Sequence, residues 1–158
     1  MKCFWSWLKA NTDESQGLGA LAGVLVAIIG FGVTYSQLRS ANVTLQASNA
    51  YTIQKDGREL LDTIQENGFV RNLVDGKLKP EDQEKARFDL WKMFNFYLSV
   101  YRQSKAGGIG DEFRESYKRD FCGFVRLAQV DTEWKTMLAD KSVSTEHTKM
   151  REDWCAKK

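Results

Sequence analysis

The chain is poor in the residues that most often carry chemistry: its 158 residues include one histidine, one proline and three cysteines. His147 lies in a Ser/Thr/Lys-rich stretch near the C-terminus. The sequence places no nucleophile and no orienting acid beside it, so nucleophilic catalysis has no candidate and a solvated side chain is expected. Cys155 follows about two helical turns later, too far along one helix for a direct hydrogen bond. Cys3, Cys122 and Cys155 are odd in number, widely separated and lack CxxC spacing, which argues against structural zinc and against a disulfide scaffold. Free thiols on helices suit a reducing compartment, so the C-terminal domain is expected in the cytoplasm.

Alternating strand patterns, internal repeats and low-complexity tracts are also missing, and the expected fold class is all-α. A field of one charge sign is missing too. The formal net charge is +2, and with Lys2, Lys9, Asp13 and Glu14 ahead of Ser36, the segment from Ser36 onward keeps 21 of 23 basic and 19 of 21 acidic residues. Any anion site must therefore be a local patch, and duplex nucleic acid is not an expected partner.

What the chain does have is a membrane span. Gly17 to Val33 is seventeen residues without a charge or a polar side chain, extended by Thr34 and Tyr35. At about 1.5 Å per residue it approaches the roughly 30 Å hydrocarbon core. No small-x-small cleavage site follows Val33, so the run reads as an uncleaved anchor. Phe4, Trp5, Trp7 and Leu8, interleaved with Lys2 and Lys9, read as an interfacial tail on membrane lipid. The flanking charges, two lysines before the span against Arg39 after it, nominally favour a cytoplasmic N-terminus, opposite to the thiol argument. Gly19, Gly23, Ala27 and Gly30, followed by Thr34, fall on one helical stripe, a device for close helix–helix approach and self-association.

The expected organisation is a tail over 1–16, a transmembrane helix over 17–35, a stalk helix over 36–67 and a helical domain over 68–158. Val43, Ala47, Ala50, Gln54, Gly57, Leu61 and Ile64 follow heptad spacing along the stalk, either as a weak coiled coil or as a face packed on the domain. A short helix is expected from Phe69 to Val74. A long one begins at Pro80, where a missing N–H costs nothing, and carries Phe88, Trp91, Phe94, Leu98 and Tyr101 on its core face. After Gly107-Gly108-Ile109-Gly110, a helix capped by Asp111 carries Phe113, Tyr117, Phe121 and Phe124. Shorter helices follow around Trp134 and from Ser144 to Cys155.

The acidic groups Glu81, Asp82 and Glu84, and Asp111, Glu112 and Glu115, fall at helix starts and serve the helix dipole, so no metal, cofactor or catalytic pair is expected. The one candidate ligand site is the second helical hairpin. Arg102, Lys105, Arg114, Lys118 and Arg119 cluster around its glycine-rich loop, with Tyr97, Tyr101 and Tyr117 close in sequence. Cations beside aromatic rings suit an anionic, nucleotide-like ligand; interleaving with Asp111, Glu112, Glu115 and Asp120 suits an ordinary solvated face.

A glycine-rich span, a Tyr35-Ser-Gln-Leu-Arg39 run into a polar stalk, and an aromatic helix–turn–helix from Phe94 to Phe124 resemble small bacterial membrane proteins. These include uncharacterised single-span helical proteins and the membrane-associated effectors of type III CRISPR antiviral defence. The second resemblance implies a non-enzymatic protein of the bacterial inner membrane, with a cytoplasmic domain that binds a cyclic oligoadenylate messenger. It further implies a homo-oligomer, a tetramer among the candidates, that perturbs the membrane when the messenger binds. The alternative is a membrane-anchored scaffold without a nucleotide ligand, presenting Trp134 or Trp154 as exposed anchors.

Overall fold

The computed structural model describes Ser6 and residues 12–156, and among these every regular element is a helix. We label them α1 (Thr12–Asn67), α2 (Phe69–Val74), α3 (Gln83–Lys105), α4 (Asp111–Phe124), α5 (Ala128–Ala139) and α6 (Thr145–Cys155), with a 3₁₀ turn at Pro80–Asp82 ahead of α3. The aromatic tail residues Phe4, Trp5, Trp7 and Leu8 lie outside the described residues.

The described residues up to Val43 and those from Thr44 onward form two compact units. In the first, Val24, Leu25, Val26, Ile28, Ile29, Phe31 and Val33 are all exposed. A core helix of a water-soluble domain would bury such residues; a helix bathed in lipid need not. From Ala22 onward α1 contains a stretch apolar and long enough to cross a membrane. Gly19, Gly23 and Gly30 have open space where a side chain would project, and Ala27 is exposed, so the small-residue stripe is uncovered within this unit.

The second unit is built around α3, which packs against α2, α4 and α6, while α5 packs on α2 and α6 on α4. Phe94 is fully buried at the centre, edge-on to Trp134 at 4.7 Å between ring centroids, and Phe121 meets both Trp134 (6.2 Å) and Trp154 (5.7 Å). The core stripe of α3 is Ala86, Leu90, Met93, Phe94, Leu98 and Tyr101. Phe88 and Trp91, expected on that stripe, instead stack on each other outside at 56% and 38% exposure. They sit one helical step away from the buried line, and Lys92 lies over the Phe88 ring.

The stalk portion of α1 packs on this core through Gln46, Asn49, Ala50, Ile53, Gly57, Leu60 and Ile64, all buried or half-buried. This corrects the expected seam: Val43, Ala47, Gln54 and Leu61 face outward, and only Ala50, Gly57 and Ile64 were placed on the packed face. The packed face follows the same heptad rhythm, rotated toward the α3 ring system. Gly57 allows the close approach, since a Cβ there would sit 2.9 Å from Cζ of Phe96.

Candidate functional site

The candidate hairpin residues divide between two clefts on either side of α4. Tyr101, Lys105, Arg114 and Lys118 line a polar cleft of about 380 Å³, shared with Glu115, Asp153 and Trp154. Tyr97 and Tyr117 line a separate, more apolar cleft of about 460 Å³ between α1, α3 and α4. Arg102 and Arg119 line neither of these two clefts.

The cations of the polar cleft are already partnered. Lys105 Nζ lies 3.0 Å from Asp153, Arg114 reaches Asp111 (2.9 Å) and Glu115 (3.2 Å), and Lys118 lies 3.4 Å from Glu115. Arg102 grips Glu146 through two donors, with Nε 2.9 Å from Oε1. These pairs hold the Glu146 and Asp153 carboxyls below the usual carboxylate range: Arg102 donating to Glu146, and Tyr101 (2.6 Å) with Lys105 donating to Asp153. An arriving anion must compete with these carboxylates for each guanidinium or ammonium.

The glycine-rich loop serves the stalk. Gln46 Nε2 donates to the Gly107 carbonyl at 3.0 Å and Asn49 Nδ2 to the Gly108 carbonyl at 2.9 Å. Gly107 turns the chain at φ 71°, and Ile109 is buried. A Cβ on Gly108 would come within 2.6 Å of Gln103 Oε1 and 3.0 Å of Asn49 Nδ2, so a side chain there would displace the exposed Gln103 amide and press on the Asn49 latch. Gly110, with no side-chain cap, takes the N-cap position expected of Asp111, which pairs with Arg114 from the first turn.

Three expectations are corrected here. Cys122 and Cys155 form a disulfide, bringing α4 and α6 to a Cα–Cα separation of 5.4 Å. The premise of free thiols therefore fails, and the cytoplasmic assignment built on it loses its argument. His147 is buried at 4% exposure rather than solvated. Its Nδ1 accepts from the Ser144 backbone N–H (3.3 Å) and lies 2.8 Å from Ser144 Oγ, a reciprocal cap on α6. Burial pushes its pKa below the ordinary histidine value. Nε2 is buried without a hydrogen-bond partner among the described residues, so no acid orients the ring as a catalytic base requires. Finally, Trp134 and Trp154 are 2% and 6% exposed and belong to the core, so neither is a surface anchor.

Among the described residues no cluster of three or more His, Cys, Asp or Glu side chains is arranged to hold a metal. Sequence reasoning missed Arg58 and read Asp120 only as part of a solvated face; both line the apolar cleft, where the packing of the stalk on the domain brings them. It also missed the buried Glu133, which accepts from Arg87 at 3.2 Å and from Gln83 and ties α5 to the start of α3. Compared with protein-family models, curated proteins and solved structures, the chain has no match.

Proposed function

We propose that this chain is a single-span, membrane-anchored binding protein whose non-catalytic helical domain lies in an oxidising compartment, away from the cytoplasm. The Cys122–Cys155 disulfide carries the reading, because such bonds persist outside reducing cytoplasm. The flanking charges agree with it: Lys2 and Lys9 precede the span and Arg39 alone follows closely, the pattern of a cytoplasmic N-terminus. A non-catalytic reading is supported by His147, the one histidine of the chain, acting as a buried helix cap. The stalk takes part in the domain through Gly57, Ile53 and Ile64, so an occupant of the neighbouring cleft touches the helix that carries the span.

The test is the thiol state in intact cells. A Cys3→Ala chain is expressed, free thiols are trapped with a permeant alkylating reagent before lysis, and the cysteines are assigned by mass spectrometry. Oxidised Cys122 and Cys155 are expected; alkylation of both would return the domain to the cytoplasm and defeat the proposal.

The messenger-gated effector keeps one observation in its favour, the meeting of Tyr101, Lys105, Arg114 and Lys118 in a single cleft. Titrating the full chain in micelles with cyclic oligoadenylates of several ring sizes separates the two readings. Ring-selective binding would restore the effector, and Gly19→Leu with Gly23→Leu should then abolish membrane perturbation while leaving binding intact.

A further inference from the structure

The cleft between stalk and domain differs from the polar one in the state of its charges. Its walls are α1, through Gly57, Arg58 and Leu61, and α4, through Tyr117 and Asp120; Met93, Phe96 and Tyr97 of α3 form the floor. Phe96, Tyr97 and Tyr117 make one continuous aromatic surface, with ring centroids 5.6, 5.9 and 6.5 Å apart. Arg58 and Asp120 are both exposed, and neither has an ion-pair partner among the described residues; Arg58 Nε only donates to the Gln54 carbonyl of its own helix at 3.3 Å. Every cation of the polar cleft is paired, whereas here a guanidinium and a carboxylate stand unpaired on different helices with an apolar floor between them.

We infer that this cleft binds a short apolar peptide with free termini, its carboxylate on Arg58, its ammonium on Asp120 and its side chains on the Phe96–Tyr97–Tyr117 surface. Charge complementarity selects the class. A simple anion would meet Asp120 and a simple cation would meet Arg58, while a molecule with opposite charges at its two ends satisfies both. Guanidinium–carboxylate recognition gives the geometry at one end, and an ammonium beside a carboxylate and aromatic faces gives the other. The volume, about 460 Å³, falls within the roughly 300–1,000 Å³ of small-ligand sites. The inference deepens the binding reading by naming its ligand class.

The experiment is calorimetric titration of the full chain in micelles with phenylalanyl-leucine, alongside its N-acetylated and C-amidated forms. Saturable one-to-one binding is expected, weakened about tenfold or more, about 1.4 kcal/mol, by either Arg58→Ala or Asp120→Asn. The amidated peptide should be indifferent to Arg58→Ala, and the acetylated peptide indifferent to Asp120→Asn. Both positions are exposed, so the variants keep the fold, which circular dichroism checks. Absence of saturable binding, or binding unchanged in both variants, would overturn the inference. This outcome is independent of the thiol state in cells, which tests the compartment alone.

Discussion

Replacing Cys122 and Cys155 together by alanine should remove stability chiefly through the unfolded chain. The bond joins residues 33 apart in sequence. Closing an unfolded loop of that length costs about 12.5 cal/mol/K, which near 25 °C is about 3.7 kcal/mol of stabilisation lost on removal. The folded contacts around the bond should persist, because α4 and α6 also meet through Phe121 and Trp154, and Met150 is fully buried. For a helical unit of this size the loss corresponds to a fall in Tm on the order of 15 °C. Thermal unfolding followed by circular dichroism, in a Cys3→Ala background and in micelles, reads it directly. The same fall should appear when the cysteine-containing chain is treated with reductant, and the reductant should leave the double variant unaffected. A change of only a few degrees would refute the reasoning by showing that the unfolded loop is not the quantity being restrained.

Phe94→Ala should cost about 3–5 kcal/mol in chemical denaturation, since it empties a fully buried site against Trp134 and Phe124; a loss below 1 kcal/mol by the same order-of-magnitude scale would contradict its central position. Gln46→Ala with Asn49→Ala removes both donors to the glycine loop and should cost about 1 kcal/mol per bond; faster amide exchange should appear around Ile109 and α4 while α5 stays protected. Protonation of His147 opposes folding because its folded pKa lies below the unfolded value. Its contribution is therefore fully present above about pH 6.5 and lost as pH falls through the lower folded value. Urea midpoints should drop between neutral and mildly acidic pH in the wild-type chain and much less in His147→Gln; equal drops would remove His147 as the cause. Asp131, held below its usual range by Lys135 and Arg151 (2.6 Å), should add a second loss at more acid pH, confined to values below about 4.

The apolar run from Gly17 and the absence of alternating patterns were sufficient to read a candidate membrane helix and an all-α chain, because both depend on composition and local period. Local chemistry also located the start near Pro80, the break at Gly107 and the end of α2 near Val74, where proline and glycine act on their own backbone. Phe88 and Trp91 show where periodicity stops being enough: an aromatic side chain one helical step off the buried line is written in the same letters as a core residue. The rotation of the stalk seam toward Ile53 and Gly57 was likewise undecidable without the Phe96 ring on the facing helix. Arg102 with Glu146, Lys105 with Asp153, and Cys122 with Cys155 join residues far apart in sequence, so only the packing of α6 against α3 and α4 brings each pair within reach. The same packing buried His147 and Trp154, and the hairpin's residues ended up divided between a polar cleft of paired charges and an apolar cleft completed by Arg58 of the stalk. Composition and period determined what kind of chain this is; long-range contacts, which no local pattern encodes, decided which of its charges are paired across the fold.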